Sequence, residues 1–238
     1  MALIENEKAR SRAKVRESNF SNKLIDAYYS FENVSYDFIK RTFDIIIGLM
    51  GVALLIPTTV IVKMISLACG DYDSIFYTQK RIGKNGKEFK LYKYRSMQKD
   101  ADVVLEKLLK DNPDLAHEYK VNKKLEYDPR ITKVGRLIRT FSIDELPQFI
   151  NVLKGEMSIV GNRPYLPKEK DDMGYGFDLI TSTKPGMTGY WQVSGRNDVS
   201  FRKRLELEEY YSNNYTIELD TYIFFKTFLI VFFRKGAK

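Results

Sequence analysis

Two adjacent carboxylates, Asp144 and Glu145, sit in Ser142-Ile143-Asp144-Glu145-Leu146-Pro147-Gln148. They stand just before an apolar run (Phe149, Ile150, Val152, Leu153) that Pro147 is suited to open as a helix. One carboxylate can serve as a nucleophile and the other as a ligand for a hard cation such as Mg²⁺. Arg136 and Arg139 precede the pair and Arg163 follows it. Carboxylates beside cations and a helix start suit a phosphate-bearing substrate. Ser-x-x-Glu is also a capping box, in which Ser142 and Glu145 would only close a helix end. A helix capped at Ser142 would carry Pro147 past its first turn, where the missing N–H loses a bond. A helix opening at Pro147 instead leaves both acids in the approach loop.

The acids need a scaffold and a location. Ile45 to Val62 runs without a charge, the length of a membrane-helix candidate, but Pro57 interrupts it. Lys40 and Arg41 flank it on one side, and Lys63 and later basic residues on the other. A crossing helix usually shows basic bias on one side only. The symmetric flanks predict a re-entrant segment over 36–69 that enters one leaflet, bends at Pro57 and returns. Thr58 and Thr59 hydroxyls are placed to satisfy backbone groups that the proline frees. A helix from about Tyr36 to Ala68 would be ~50 Å long if straight, against a ~30 Å hydrocarbon core. About forty mostly polar residues precede the run, which argues against a secretory signal.

The remaining elements follow from spacing. Ser74–Thr78 and Lys87–Tyr94 are strand-like, with a turn signal at Lys84-Asn85-Gly86-Lys87 between them, so a β-hairpin is expected. Ala101–Lys110 has helical spacing, a short helix carries Val134, Leu137 and Ile138, and Leu205–Tyr211 is helical again. Gly155 to Pro164 holds a short apolar strand running into a loop, and Lys184 to Gly189 reads as a turn. Ile223 to Phe233 is aromatic and ends in Arg234-Lys235, as expected of a C-terminal interfacial helix; packing on the core is the alternative. The fold class is α+β, mainly helical with little sheet. Residues 1–35 form a polar leader, 36–69 the membrane segment and 70–238 a catalytic domain.

Composition narrows the partners. One cysteine, Cys69, excludes a disulfide framework. The single His117, in a polar helix-like stretch, reads as a surface residue, since a metal site wants several such ligands. The net charge of +8 includes seven basic residues from Lys80 to Arg95 against one acid, Glu88. Anionic lipid or a phosphorylated substrate fits that run. No zinc-finger or RNA-recognition pattern supports nucleic acid.

Several motifs occur together in order: Lys40-Arg41-Thr42-Phe43-Asp44, Lys93-Tyr94-Arg95-Ser96-Met97, Asp128-Pro129-Arg130-Ile131-Thr132, the acid-pair heptapeptide, Asn151 to Ser158, Pro185 to Gly189, and Trp191 to Asp198. Over about Phe38 to Gly236 the chain resembles the bacterial sugar transferases, the monotopic polyprenyl-phosphate hexose-1-phosphate transferases. Trp191–Asp198 with Asn162 to Pro167 looks most like the galactose-1-phosphate enzymes among them. The resemblance implies transfer of a hexose-1-phosphate from a UDP-sugar to a polyprenyl phosphate, with release of UMP, at the cytoplasmic face of the inner or plasma membrane. It implies that Asp144 is the nucleophile forming a covalent phosphosugar and that Glu145 holds Mg²⁺. It aligns Lys93, Arg139 and Arg163 with residues near the phosphates, and adds Arg95, Arg196 and Glu208 as substrate-binding candidates. Two departures stand out: Asn162 precedes Arg163-Pro164 where the family has proline, and Glu208 stands where relatives often have aspartate. A membrane-tethered module gripping anionic lipid or an acidic partner without chemistry is the competing expectation. Direct transfer without a covalent step is a further one. A homodimer through the helices is compatible with the sequence and not demanded by it.

Overall fold

The computed structural model describes the backbone of residues 2–123, 125–195 and 199–232, and the side chains of those from 34 to 230. The chain divides into two units, Met1–Phe43 and Asp44–Lys238. In the first, Thr42 Oγ1 donates to the Phe38 carbonyl at 2.9 Å and Lys40 lies over the Tyr36 ring.

The first helix, α1 (Ala2–Ala68), contains the apolar segment; Val34–Ala68 is long and apolar enough to cross a membrane by length and composition. Pro57 does not end it, and the helix is continuous to Ala68. Any re-entry therefore takes the form of a bent helix, not two helices joined by a turn. Thr58 Oγ1 bonds the carbonyls of Leu54 (2.7 Å) and Leu55 (3.2 Å). Thr59 Oγ1 instead meets the hydroxyl of the buried Tyr94 at 2.7 Å.

From Asp44 onward one stripe of α1 packs on the body, with the i, i+4, i+7 spacing of a helical face. Asp44 Oδ1 accepts from Ser158 Oγ at 2.9 Å and from Ile159 N at 2.8 Å, and is 2% exposed. Gly48 lies so close to Leu153, and Gly51 to Phe149, that a Cβ at either would collide. Thr58 and Thr59 follow at Tyr94, and Val62 and Ser66 are buried. The opposite face, including Ile46, Leu49, Met50, Ile56 and Ile61, is exposed.

Strands β1 (Phe76–Ile82) and β2 (Glu88–Tyr94) form the expected antiparallel hairpin, closed by Lys84–Gly86 with Asn85 at φ 57°. The first strand runs four residues beyond Thr78, because Gln79, Arg81 and Ile82 turn inward while Lys80 faces solvent. Helices α2 (Ala101–Asp111) and α3 (Pro113–Asn122) follow, with His117 exposed on α3 as expected. Then come α4 (Lys133–Thr140), α5 (Gln148–Lys154) and the buried strand β3 (Ser158–Val160). After α6 (Lys170–Met173) and α7 (Phe177–Thr181), Gly186–Thr188 forms β4 and pairs parallel with β3. The turn expected over Lys184–Gly189 is thus corrected to a short strand; Ser158 N donates to the Pro185 carbonyl and fixes it there.

Among the described residues, three helices follow: α8 (Tyr190–Ser194), α9 (Phe201–Asn214) and α10 (Ile217–Phe232). Helix α10 packs on the core along one side, the alternative reading of the C-terminal segment, and leaves its other side exposed. Ile223 is fully buried with Leu219, Phe224 and Ile230 beside the core, while Tyr222, Phe225, Phe228 and Leu229 are exposed. Thr227, on the core side, meets Thr188 of β4 through its hydroxyl at 2.7 Å.

Candidate active site

Ser96, just past β2, organises the site. Its carbonyl accepts from Thr132 N at 3.1 Å, and Thr132 caps α4 by accepting from Gly135 N at 2.9 Å. Gly135 presses against the Ser96 backbone, leaving no room for a Cβ. One turn later Arg139 Nε donates to Ser96 Oγ at 2.8 Å. The helix therefore leaves the hairpin end at a fixed angle and delivers the chain to Ile143–Glu145, a single 3-10 turn. Ser142 enters that turn at φ 53°, a strained conformation for a residue with a side chain, and its hydroxyl caps nothing. The capping-box alternative is not what the chain builds. Pro147 sits at the start of α5, as its place in the sequence indicates.

The fully buried Asn151 locks α5 onto β2. Its amide donates to the Lys90 carbonyl and to Glu156 Oε2, both at 2.7 Å, and its oxygen accepts from Tyr92 N at 3.0 Å. With both helices anchored to the hairpin, Lys93 reaches Glu145 Oε1 at 2.9 Å. Asp144 beside it is only 7% exposed. Burial raises its carboxyl to a pKa of about 6; Lys93 pulls it down, Glu145 pushes it up and Arg139 pulls it down again. The structure thus brings together four of the expected residues: Asp144, Glu145, Lys93 and Arg139.

The others lie elsewhere. Arg95 donates to Asp71 Oδ1 at 2.6 Å, to the Ser74 carbonyl at 2.6 Å and to the Met97 carbonyl at 3.2 Å. It lines a cavity of about 480 Å³ at the end of α1 with Asp71, Lys99 and Lys133. Arg163, in the loop after β3, has its guanidinium 5.9 Å from the Trp191 ring centre. Glu208 on α9 is wholly buried and accepts from Arg163 N at 3.0 Å. Burial lifts its carboxyl to about 8, against the pull of the Arg163 backbone N–H, Tyr165, Arg163 and Arg204. Arg196 lies outside the described residues. Sequence reasoning missed Asp44, Asn151, Arg81 and Arg204; the first two stood inside quoted motifs with no sign of burial.

The geometry is an acid pair flanked by a lysine and an arginine, on a mainly helical body with a long apolar helix. The chain belongs to the bacterial sugar transferase family, whose profile matches residues 35–234. It is 40% identical over 198 residues to the exopolysaccharide production protein ExoY of Sinorhizobium fredii, covering 83% of this chain and 87% of that one. It is 43% identical to the UDP-galactose-lipid carrier transferase of Erwinia amylovora and 44% identical to the undecaprenyl-phosphate galactose phosphotransferase of Salmonella typhimurium, each over 84% of this chain. The chain spans 42% of each of these two longer relatives.

Proposed function

We propose that the protein transfers a hexose-1-phosphate from a UDP-sugar to undecaprenyl phosphate or a similar polyprenyl phosphate, by way of an ester on Asp144, to start a surface polysaccharide. A carboxylate oxygen of Asp144 bonds to the sugar-side phosphorus, the bond to the bridging oxygen breaks, and UMP leaves with that oxygen. A phosphate oxygen of the lipid then attacks the same phosphorus and releases the carboxylate. The observation that carries this reading is the placement of Asp144: buried, free of any capping role, and faced by Lys93 and Arg139. An anion approaching a diphosphate meets repulsion, which those cations offset. The relatives named for galactose make UDP-galactose the first donor to test.

Glu145 is the carboxylate that would hold a Mg²⁺ ion, leaving Asp144 as the nucleophile. No group of three or more His, Cys, Asp or Glu comes together among the described residues, so the protein would give one or two carboxylates. That is a usual complement for Mg²⁺, which keeps waters and takes phosphate oxygens besides. Bound there, the ion would neutralise phosphate charge. The Glu145 side chain is 41% exposed, and its Oε1 pairs with Lys93.

The basic run from Lys80 to Arg95, which motivated the binding-module alternative, is not one solvated face. Arg81 is buried, Lys93 joins the acid pair and Arg95 joins Asp71. The membrane reading draws on α1. Its stripe from Asp44 to Ser66 stays on the body for roughly 33 Å of helix. That supports a helix lying against one leaflet at the cytoplasmic face, with the outer side toward lipid. Cysteine tags placed before Lys40 and after Gly70 should then both label from the cytoplasmic side only. Labelling of one tag from outside would establish a crossing.

Two measurements address the chemistry. Incubation with radiolabelled UDP-galactose and no lipid should leave label on the protein and release one UMP per site. UMP release that strictly requires the lipid would point to direct transfer. Because Asp144 must be ionised to attack, kcat/KM for the donor should fall as pH drops below about 6. Lys93→Met removes the strongest force lowering that pKa, so the acid limb should move to higher pH; an unmoved limb would separate it from Asp144.

A further inference from the structure

The acid pair accounts for Lys93 and Arg139 and leaves a second basic group unexplained. Arg163 after β3 and Arg204 on α9 lie over the Trp191 ring, and Arg163 is within electrostatic reach of both Arg204 and Arg81 on β1. The Nε of each is buried and has no hydrogen-bond partner among the described residues. Arg204 is 5% exposed, and its guanidinium carbon lies 4.4 Å from the Trp191 ring centre and 5.8 Å from that of Phe201. Stacking of this kind engages the flat face of a guanidinium and leaves its N–H donors free. Arg81 spends two donors, on the Pro164 carbonyl at 3.0 Å and on Gln79 Oε1 at 2.7 Å. Trp191 Nε1 also lacks a partner among the described residues.

Nearby acids do not balance this. Glu169 is held by Leu166 N at 2.7 Å. Glu208 is held through one oxygen by Arg163 N; its other oxygen and the Tyr165 hydroxyl, which faces it, miss hydrogen-bond geometry. Burial pushes the Glu208 carboxyl up to about 8, which weakens it as a counter-charge. Guanidinium donors that are buried and unmet are costly to leave so. An oxyanion would relieve that cost, and the guanidinium fork matches phosphate.

The hairpin connects the two groups. Strand alternation puts Tyr77, Gln79 and Arg81 on one face, with Phe89, Leu91 and Lys93 opposite them. Lys93 pairs with Tyr77, four residues from Arg81, which is about 13 Å along the strand at roughly 3.3 Å per residue. Arg81 also feels the Glu145 charge. We propose that Arg81, Arg163 and Arg204 form a seat for a second phosphate: the nucleoside phosphate of the donor or the headgroup of the lipid acceptor. The cavity beside Arg163 and Tyr165 has about 10 Å³, room for one water, so an entering phosphate displaces the half-buried Arg163 side chain.

This rests on the sugar-phosphate transfer reading, and binding tests it apart from turnover. The full chain in detergent is titrated with inorganic phosphate, UMP and a short polyprenyl phosphate by calorimetry, for the wild type, Arg204→Gln and Arg163→Gln. Arg163 makes no side-chain hydrogen bond to a described residue, so its variant guards against misfolding of the other; thermal melts without ligand verify both. Weakening of at least about tenfold for UMP in both variants assigns the seat to the nucleotide. Weakening confined to the lipid phosphate assigns it to the acceptor. Unchanged affinity for all three probes overturns the proposal, and would do so while UMP release by the wild type stayed intact. Absence of UMP release from a panel of UDP-sugars would instead defeat the transfer reading, with the seat still decided by the phosphate titration.

Discussion

Asp144→Asn should abolish sugar-phosphate transfer and make the protein more stable. Loss of a covalent nucleophile costs about 10³-fold or more in turnover. The stability gain comes from the same burial that tunes the acid. Asp144 is raised from 3.8 to about 6. Between those values the folded state holds a proton that the unfolded chain has released. The contribution is intact below about pH 4 and is lost as pH rises through about 6, so at pH 7 the ionised side chain is a net cost. At about 1.4 kcal/mol per pH unit, the asparagine variant should gain up to about 3 kcal/mol at pH 7 and nothing near pH 4. Denaturant melts at the two pH values, beside a UMP-release assay, measure both effects. Retained turnover would place the nucleophile elsewhere. An equal gain at both pH values would show that burial of charge is not its source.

Gly135→Ala should disable the enzyme without touching a charged group. Alanine is favoured in a helix interior over glycine by about 1 kcal/mol. Here the new Cβ would strike the Ser96 carbonyl oxygen and lie 2.8 Å from Ser96 Cα. Backbone cannot rotate away as a side chain can, so overpacking of about 3 kcal/mol wins and the net loss is about 2 kcal/mol. The helix relieves the contact by moving off the hairpin end, which carries Arg139 and the acid pair away from Lys93. A displacement of about 1 Å at such a site costs on the order of 10²-fold in kcat/KM. Arg136→Ala, one residue on and exposed, is the control. A Gly135→Ala protein with normal turnover would show that α4 does not set the distance between acids and lysine.

Local signals in the sequence were read well. Asn85-Gly86 gave the hairpin and Pro147 the start of α5, and the adjacent acids lie in the approach loop expected before it. Long-range register was not legible. Lys80 to Arg95 reads as one basic stretch, but strand alternation sends Arg81 inward to a carbonyl 83 residues away. The strand ends at Tyr94, so Arg95 leaves the face of Lys93 and falls on Asp71. Three-residue β4 has no pattern of its own and is a strand only because β3 lies alongside. Pro57 was expected to bend the segment; it stands inside a helix that runs on to Ala68, with Thr59 of the next turn held by Tyr94.

Asp44 has a consequence for how the protein is made. Two of its partners belong to Ser158 and Ile159, and Ser158 lies 114 residues later. At about 5–20 residues per second, a ribosome needs on the order of ten seconds to supply them. Through that interval the nascent apolar helix carries the acid without those two donors. Sinking a carboxylate into hydrocarbon costs about 3 kcal/mol. On the membrane reading proposed above, the growing chain would stay in the wet outer layer until its own later sequence arrives to bind the charge.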